Sequence, residues 1–413
     1  MKPLDEFPAP PMPPPPFPSL SAPVWASAFR PFYLLGALYA PLLMAVWAGA
    51  YLGAWGMPVS ATTPLALWHG HEMLFGFAAA IITGIVLTAL PSWAGTPEIR
   101  GGRLALLVAL WLAGRLACWA TPWLPPLSVT VADSLLFPAM FVMLAPQLWR
   151  AANPLYLLLL PILAALCGAN LAYHAGISAA DPAVAGLGLR AGVYAVIVLY
   201  VLKGGLLTPI FTGNALREKG RGEQAPFHPG LDAAAVVVVV VLAVLDLAAA
   251  PAHWTGAAAF ACASIHAWRV ARWQGWRVAD VPLVLVMHLG FAWLIFAFAL
   301  KAAAELTGVV AEAAWLHAFT VGSLGMMMIG LMVRVSLRHT GRPLTLPNAM
   351  RIAGLLLFAT ALVRLAVTVH ELGAWAIAIA ALLWSTAFVI YLARFGTILA
   401  GPSLSRGGKR QAE

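Results

Sequence analysis

Long apolar runs broken by short polar connections set the pattern of this chain. A membrane-crossing helix needs about 20 apolar residues. Twelve stretches reach that length: 33–55, 67–92, 103–121, 128–148, 154–174, 190–211, 231–250, 252–272, 281–301, 315–336, 350–370 and 374–398. Only one connection, Leu216–Gly230, is long and hydrophilic. The pattern predicts an all-α polytopic membrane bundle of about 12 transmembrane helices within residues 25–400. Residues 1–24 are proline-rich and read as a disordered cytoplasmic tail, because polyproline conformers pack no core. Residues 401–413 read as a basic cytoplasmic tail. No internal repeat is evident, and the basic loop at 212–230 allows, without requiring, a division into two halves of six helices.

Composition sharpens this picture. Hydrophobic residues make up 62% of the chain and charged ones 9%, with mean hydropathy +0.88. Soluble domains carry about a quarter charged residues, so a soluble enzyme is excluded. A net charge of +9 is explained by topology, and no nucleic-acid partner is expected. Basic residues collect on the cytoplasmic side of membrane proteins. Of the 24 Lys and Arg residues, the odd-numbered connections hold only Arg190 and Lys301, and Arg115, Lys203 and Arg364 fall inside spans. The other nineteen lie in the tails and even-numbered connections, which places both termini in the cytoplasm. No basic stretch leads directly into an apolar one near the N-terminus, so no cleaved signal peptide is expected. Cys118, Cys167 and Cys262 are far apart, with no C-x-x-C spacing. They read as small core residues, without a disulfide, a thiolate zinc site or c-type haem attachment.

With orientation fixed, depth follows from position. His69, His71 and Glu72 lie at the outer end of the second segment, Arg115 and Asp133 in the outer thirds of the third and fourth. Asn170 and His174 end the fifth and share one side of it at spacing i, i+4. Arg190 opens the sixth, Asp246 lies near the outer end of the seventh, His317 opens the tenth, and Arg364 lies in the outer third of the eleventh. Lys203, His266 and His288 sit deeper toward the cytoplasm. Any one such group near a helix end can snorkel to the headgroups, and His228, His253, His339 and His370 read as loop residues. Four imidazoles at one level on three helices point instead to a cluster, since ionisable groups inside membranes face protein, water or a ligand.

Imidazole is the commonest metal ligand and the usual axial ligand of b-type haem. His69 and His71 differ by about 200° around a helix, so either they address different partners or the helix begins between them. Glu72 shares a face with His69 and could orient it. Arg115, Arg190 and Arg364 suit haem propionates, with an Arg115–Asp133 structural pair as the alternative. Met326, Met327, Met328 and Met332 are either thioether ligands for Cu(I) or packing. Gly322, Gly325 and Gly330 suit close helix approach or a flat macrocycle.

Several stretches resemble the NnrS family, membrane proteins associated with haem, copper and nitric oxide stress. They include Ser27-Ala28-Phe29-Arg30-Pro31-Phe32, Trp68-His69-Gly70-His71-Glu72-Met73-Leu74-Phe75-Gly76-Phe77 and Gly114-Arg115-Leu116-Ala117. Ala169-Asn170 with His174, His288-Leu289, and the run from His317-Ala318-Phe319-Thr320-Val321-Gly322 to Arg342-Pro343-Leu344 also fit. The likeness spans residues 25–370. It implies a twelve-helix fold in the bacterial inner membrane, bound haem b, copper, and a role in relieving nitrosative stress. His69, His71, His174, His288 and His317 are the matching ligands. Leu206 and Gly213 stand where the resemblance leads one to expect arginines.

The leading reading is therefore a haem protein, with copper, that binds or metabolises nitric oxide near the outer face, with Glu72 as the catalytic proton donor. Whether it is an enzyme stays open. The chain has no flavin or nicotinamide motif, so quinol or a protein donor would supply electrons. The alternative is a proton-coupled secondary transporter using the same His and Glu groups with Lys203.

Overall fold

The computed structural model describes residues 20–56, 63–370 and 372–404. Most of the proline-rich tail and of the basic C-terminal tail lies outside them. The described residues are all-helical, in twelve consecutive rods. These are α1 Phe29–Tyr51, α2 Leu65–Ala94, α3 Gly102–Trp119, α4 Pro126–Trp149, α5 Pro154–Ser178, α6 Pro182–Glu218 and α7 Pro229–Leu247. They continue as α8 Ala252–Arg272, α9 Pro282–Thr307, α10 Glu312–His339, α11 Asn348–His370 and α12 Ala374–Ala400. Eleven are long and apolar enough to cross a membrane. The exception to the twelve expected spans is α8. It is about 31 Å long at 1.5 Å per residue, but His253, His266, Arg269 and Arg272 make it less apolar.

Local chemistry sets the helix ends. Asp181 caps α6 by accepting from the Ala183 and Val184 amides, and Pro182 occupies the first turn. The sixth helix thereby begins eight residues before the apolar run that predicts it. Arg30, buried at the start of α1, donates to the Leu399 carbonyl at 2.8 Å, the Gly401 carbonyl at 2.5 Å and the Ser403 hydroxyl at 2.9 Å. A guanidinium at these orphan carbonyls satisfies the C-terminus of α12 and opposes its dipole. Arg30 thus joins the two ends of the chain.

Packing follows a period of four helices, not the two halves of six that the loop at 212–230 suggests. The pairs α1–α2, α5–α6 and α9–α10 pack together, as do α3–α4, α7–α8 and α11–α12. The quartets join in one way too, α4 on α5, α8 on α9 and α12 on α1. The second helix of each quartet is the most enclosed, with 83% of the α2 and α10 spans and 61% of α6 buried, against 56% or less for the other eight spans measured. Among the described residues, π-helical turns occur in these three helices alone, at Glu72–Ala78, Tyr200–Gly204 and Ala318–Leu324. Such turns mark functional positions more often than chance. They fall where α2, α6 and α10 form the axis of the bundle. Even-numbered connections carry most basic residues, which defines a basic face and an opposite face.

Candidate metal centre

Two residues apart on α2, His69 and His71 leave the helix in different directions and enter different sites. His71 points into α3, α4 and α5. Its ring stacks on Tyr173, with centroids 4.1 Å apart and planes at 19°. Nδ1 lies 2.9 Å from Glu72 Oε1, and Nε2 lies 3.0 Å from Asp133 Oδ2 and 2.9 Å from Asn170 Oδ1. His174 Nε2 reaches the same Asp133 oxygen at 2.8 Å, and Asn170 Nδ2 donates to it at 2.8 Å. The shared face of Asn170 and His174 therefore meets one carboxylate. Arg115 on α3 donates to Glu72 Oε1 at 2.7 Å and to Asp133 Oδ1. Tyr39 donates to the other Glu72 oxygen and accepts from Trp119 Nε1 at 2.8 Å.

Glu72 is fully buried and His71 nearly so. An isolated charge here would be prohibitive, and only a closed network makes it tolerable. Arg115 supplies one positive charge against the two carboxylates Glu72 and Asp133. The site therefore has one negative charge left over when both imidazoles are neutral. A proton on His71 would balance it, since both ring nitrogens face acceptor oxygens.

Cys118 completes the group. One ligand atom from each of His71, Cys118, Asp133 and His174 lies within 4.8 Å of the others, and all four residues are buried. Tetrahedral ligation at 2.0–2.3 Å puts donor atoms about 3.3–3.8 Å apart, so modest side-chain movement would close the set on an ion. A divalent ion with Cys118 as thiolate gives zero net charge across the ion, Arg115, Glu72, Asp133 and Cys118. A cavity of about 300 Å³ adjoins these groups, walled by Trp68, Val129, Tyr173 and Ile177. Cys118 reads from sequence as core filler. Its signal is spacing: it follows Arg115 by three residues and so shares its helix face.

His69 faces the other way, packed against the Trp47 ring of α1 with centroids 4.3 Å apart and planes tilted by 30°. With His317, Arg364, Met44 and Met73 it lines a pocket of about 30 Å³. His317 Nδ1 lies 2.7 Å from the Ala313 carbonyl, and Arg364 donates to Nε2 at 2.7 Å. That fixes the neutral tautomer with the proton on Nδ1. The expectation that Glu72 orients His69 is not met. Arg115 and Tyr39 draw the carboxylate toward α3 and α1, and the π turn beginning at Glu72 changes the facing of the helix.

The remaining candidates stand apart. His288 lies near the basic face, where its Nε2 is 2.9 Å from the Thr212 hydroxyl. Arg190 pairs with Glu312 at 3.3 Å and Asp246 at 3.6 Å, beside buried Lys301, which sits 2.6 Å from Asp246. Removing Lys301 leaves Asp246 with a weaker partner. Lys301→Met is expected to cost about 3 kcal/mol, read as a lower unfolding midpoint in detergent, and an unchanged midpoint would refute the pairing. The methionines of α10 are core residues. Gly322, Gly325 and Gly330 admit close neighbours, since a Cβ would meet Trp293 at 2.5 Å, Trp384 at 3.2 Å and Val286 at 2.6 Å respectively. Indole rings and a valine occupy those faces.

The family model described as NnrS protein aligns with residues 23–403, nearly the whole chain. The chain belongs to the NnrS family. Comparison with curated proteins gives no match. Membership suggests a multi-pass membrane protein linked to nitric oxide stress, and the buried His/Cys/Asp group is one that could hold a metal in it. The haem that this family implies does not fit between either imidazole pair. The His71 and His174 centroids are 5.2 Å apart and both rings turn to one carboxylate oxygen. A macrocycle has no space between them, and the His69–His317 pocket is an order of magnitude smaller than the 300–1,000 Å³ typical of organic ligands. The donors suit a bare ion.

Proposed function

We propose that this family member is a metalloprotein of the bacterial inner membrane, that its centre is His71, Cys118, Asp133 and His174, and that nitric oxide is bound or turned over there. The convergence of four buried donors, three of which (His71, Cys118 and His174) line a 300 Å³ cavity, supports the reading. Imidazole with thiolate suits copper, iron or zinc. Such an ion, when bound, supplies a site for a neutral diatomic, and copper or iron adds one-electron chemistry. Nitric oxide is lipid-soluble and needs no polar channel.

The chain's own residues do the rest. Asp133 orients both imidazoles. Arg115 holds Glu72 and Asp133 in place and offsets their charge. Glu72 and His71 share a hydrogen bond and can hold a proton beside the cavity, as reduction of nitric oxide requires. With the basic face toward the cytoplasm, that proton comes from the periplasmic side. Electrons come from outside the chain, from quinol or a protein donor.

Metal analysis of the purified, reconstituted protein tests the reading. His174→Ala and Cys118→Ser are each expected to lower metal affinity at least about tenfold, whereas His69→Ala keeps wild-type content. The bound ion's spectrum should change on adding nitric oxide. Because Cys118 must lose its proton to bind, uptake releases protons and affinity rises with pH. A wild-type protein that takes up no ion, or wild-type occupancy in both ligand variants, would remove the centre.

A further inference from the structure

A cavity of about 390 Å³, larger than the one beside the metal centre, lies between α9, α10 and α11. It follows the ends of these rods nearest the basic face, within 282–289, 326–333 and 350–358. At 1.5 Å per residue it runs about 12 Å along the helices, most of one leaflet's ~15 Å of hydrocarbon. Its lining is aliphatic and aromatic with a single exception, Arg351 in the first turn of α11. Arg351 is exposed, and no Asp or Glu of the described residues pairs with it. The groove opens sideways. α11 is the least enclosed of the eleven spans, with 22% buried, and Leu355 on the rim is 70% exposed. Gly354 deepens the hollow, since a Cβ there would meet nothing within 4 Å.

We propose that this groove binds an anionic phospholipid, with one acyl chain lying along α11 and the phosphate on Arg351. No side chain along the walls can hydrogen-bond, so the part of a ligand held inside must be hydrocarbon. A guanidinium at the mouth, where the headgroups lie, favours a phosphate at the end of that hydrocarbon. Set end to end, those two requirements are the chemistry of a phospholipid. Charge then selects among phospholipids. Arg338 in the last turn of α10 and Arg342 after it carry further positive charge on the same face. Basic pockets between membrane helices recognise anionic headgroups in this way. A quinone would place carbonyls at the mouth and gain little from that charge. The chain would fill the gap between α11 and its neighbours, steadying the helix whose Arg364 donates to His317. This proposal does not depend on the metal centre.

Native mass spectrometry of the full-length, delipidated protein in neutral detergent tests this. Phosphatidylglycerol and phosphatidylcholine with identical chains are the probes. One phosphatidylglycerol is expected to bind about fivefold tighter, the effect of one basic residue at a membrane surface. Arg351→Gln should bring the two lipids level, whereas Arg150→Gln, which removes an exposed charge between α4 and α5, keeps the difference. Gly354→Leu fills the groove and is expected to weaken both lipids about tenfold. Its melting temperature without lipid should stay at or above wild type, because leucine favours helix. Arg351→Gln changes an exposed side chain and gives its answer however Gly354→Leu folds. The proposal fails if wild type binds both lipids equally, or if the preference survives in Arg351→Gln. It also fails if Arg150→Gln loses the preference to the same extent, which would mean general surface charge, or if a folded Gly354→Leu binds lipid like wild type. Displacement of the lipid by glycerol 3-phosphate would mean a phosphate site without a chain, and would overturn it too.

Discussion

Asp133→Ala is expected to destabilise the protein by about 3–5 kcal/mol, the range for breaking a buried ion pair, and to abolish metal uptake. Its carboxylate is the common acceptor for His71, His174, Asn170 and Arg115. Alanine would leave those donors facing an apolar hole, with Arg115 held by Glu72 alone. Asp133→Asn keeps the shape and removes the charge. It should fold with a smaller loss, since Arg115 and Glu72 then balance, but bind metal poorly because an amide is a weak ligand. Unfolding midpoints and metal content of both variants separate the structural role from the ligand role. An alanine variant that melts with wild type and binds metal normally would show that the network is incidental.

Gly188→Leu is expected to have the second largest effect, through helix approach. Ala169, Tyr173 and Gly176 lie on the face of α5 that α6 covers, beside the face from which Asn170 and His174 reach Asp133. A Cβ at Gly188 would stand 2.5 Å from the Tyr173 amide nitrogen and 2.7 Å from the Ala169 carbonyl. These are backbone atoms, so no rotamer change relieves the contact and α5 must retreat from α6. Small residues permit such backbone contact between membrane helices. The expected cost is about 3 kcal/mol, at the top of the overpacking range, with Gly188→Ala showing part of it. Gly186 on the same helix has open space where a Cβ would go. Gly186→Ala should be neutral or slightly stabilising, because alanine favours helix. Comparing folded yield and melting for the two alanine variants makes the test, and equal behaviour would refute the contact.

Much of the fold was legible because hydrophobic length is a one-dimensional property. Apolar runs near twenty residues give spans directly, and the twelve rods follow those runs. The exception, α8, has its polar residues spread along it, so a short apolar window in an otherwise mixed helix read as a full span. Arg30 shows a different limit. Its basic charge placed it beside a membrane face, but its role as a cap on α12 joins residues 368 or more positions apart. The period of four helices was hidden for a related reason. The repeat lies in packing and in π turns, and neither leaves a matching string of residues.

For the site, helical spacing carried part of the answer. The shared face of Asn170 and His174, and the divergence of His69 from His71, are angular consequences of 3.6 residues per turn, and both hold. Sequence placed Glu72, Arg115 and Asp133 at one depth. It could not say which imidazole they would join, because depth fixes one coordinate and lateral neighbours need the other two. Tertiary packing decided that His71 and His174 share a carboxylate while His69 and His317 meet elsewhere. It also brought Cys118, ordinary as a lone thiol in an apolar run, within reach of them. Composition and periodicity thus determined a helical membrane bundle with ionisable groups near one face. The sorting of those groups into separate centres was settled by which helices touch, since a side chain's charge must be satisfied by whatever neighbour the packing supplies.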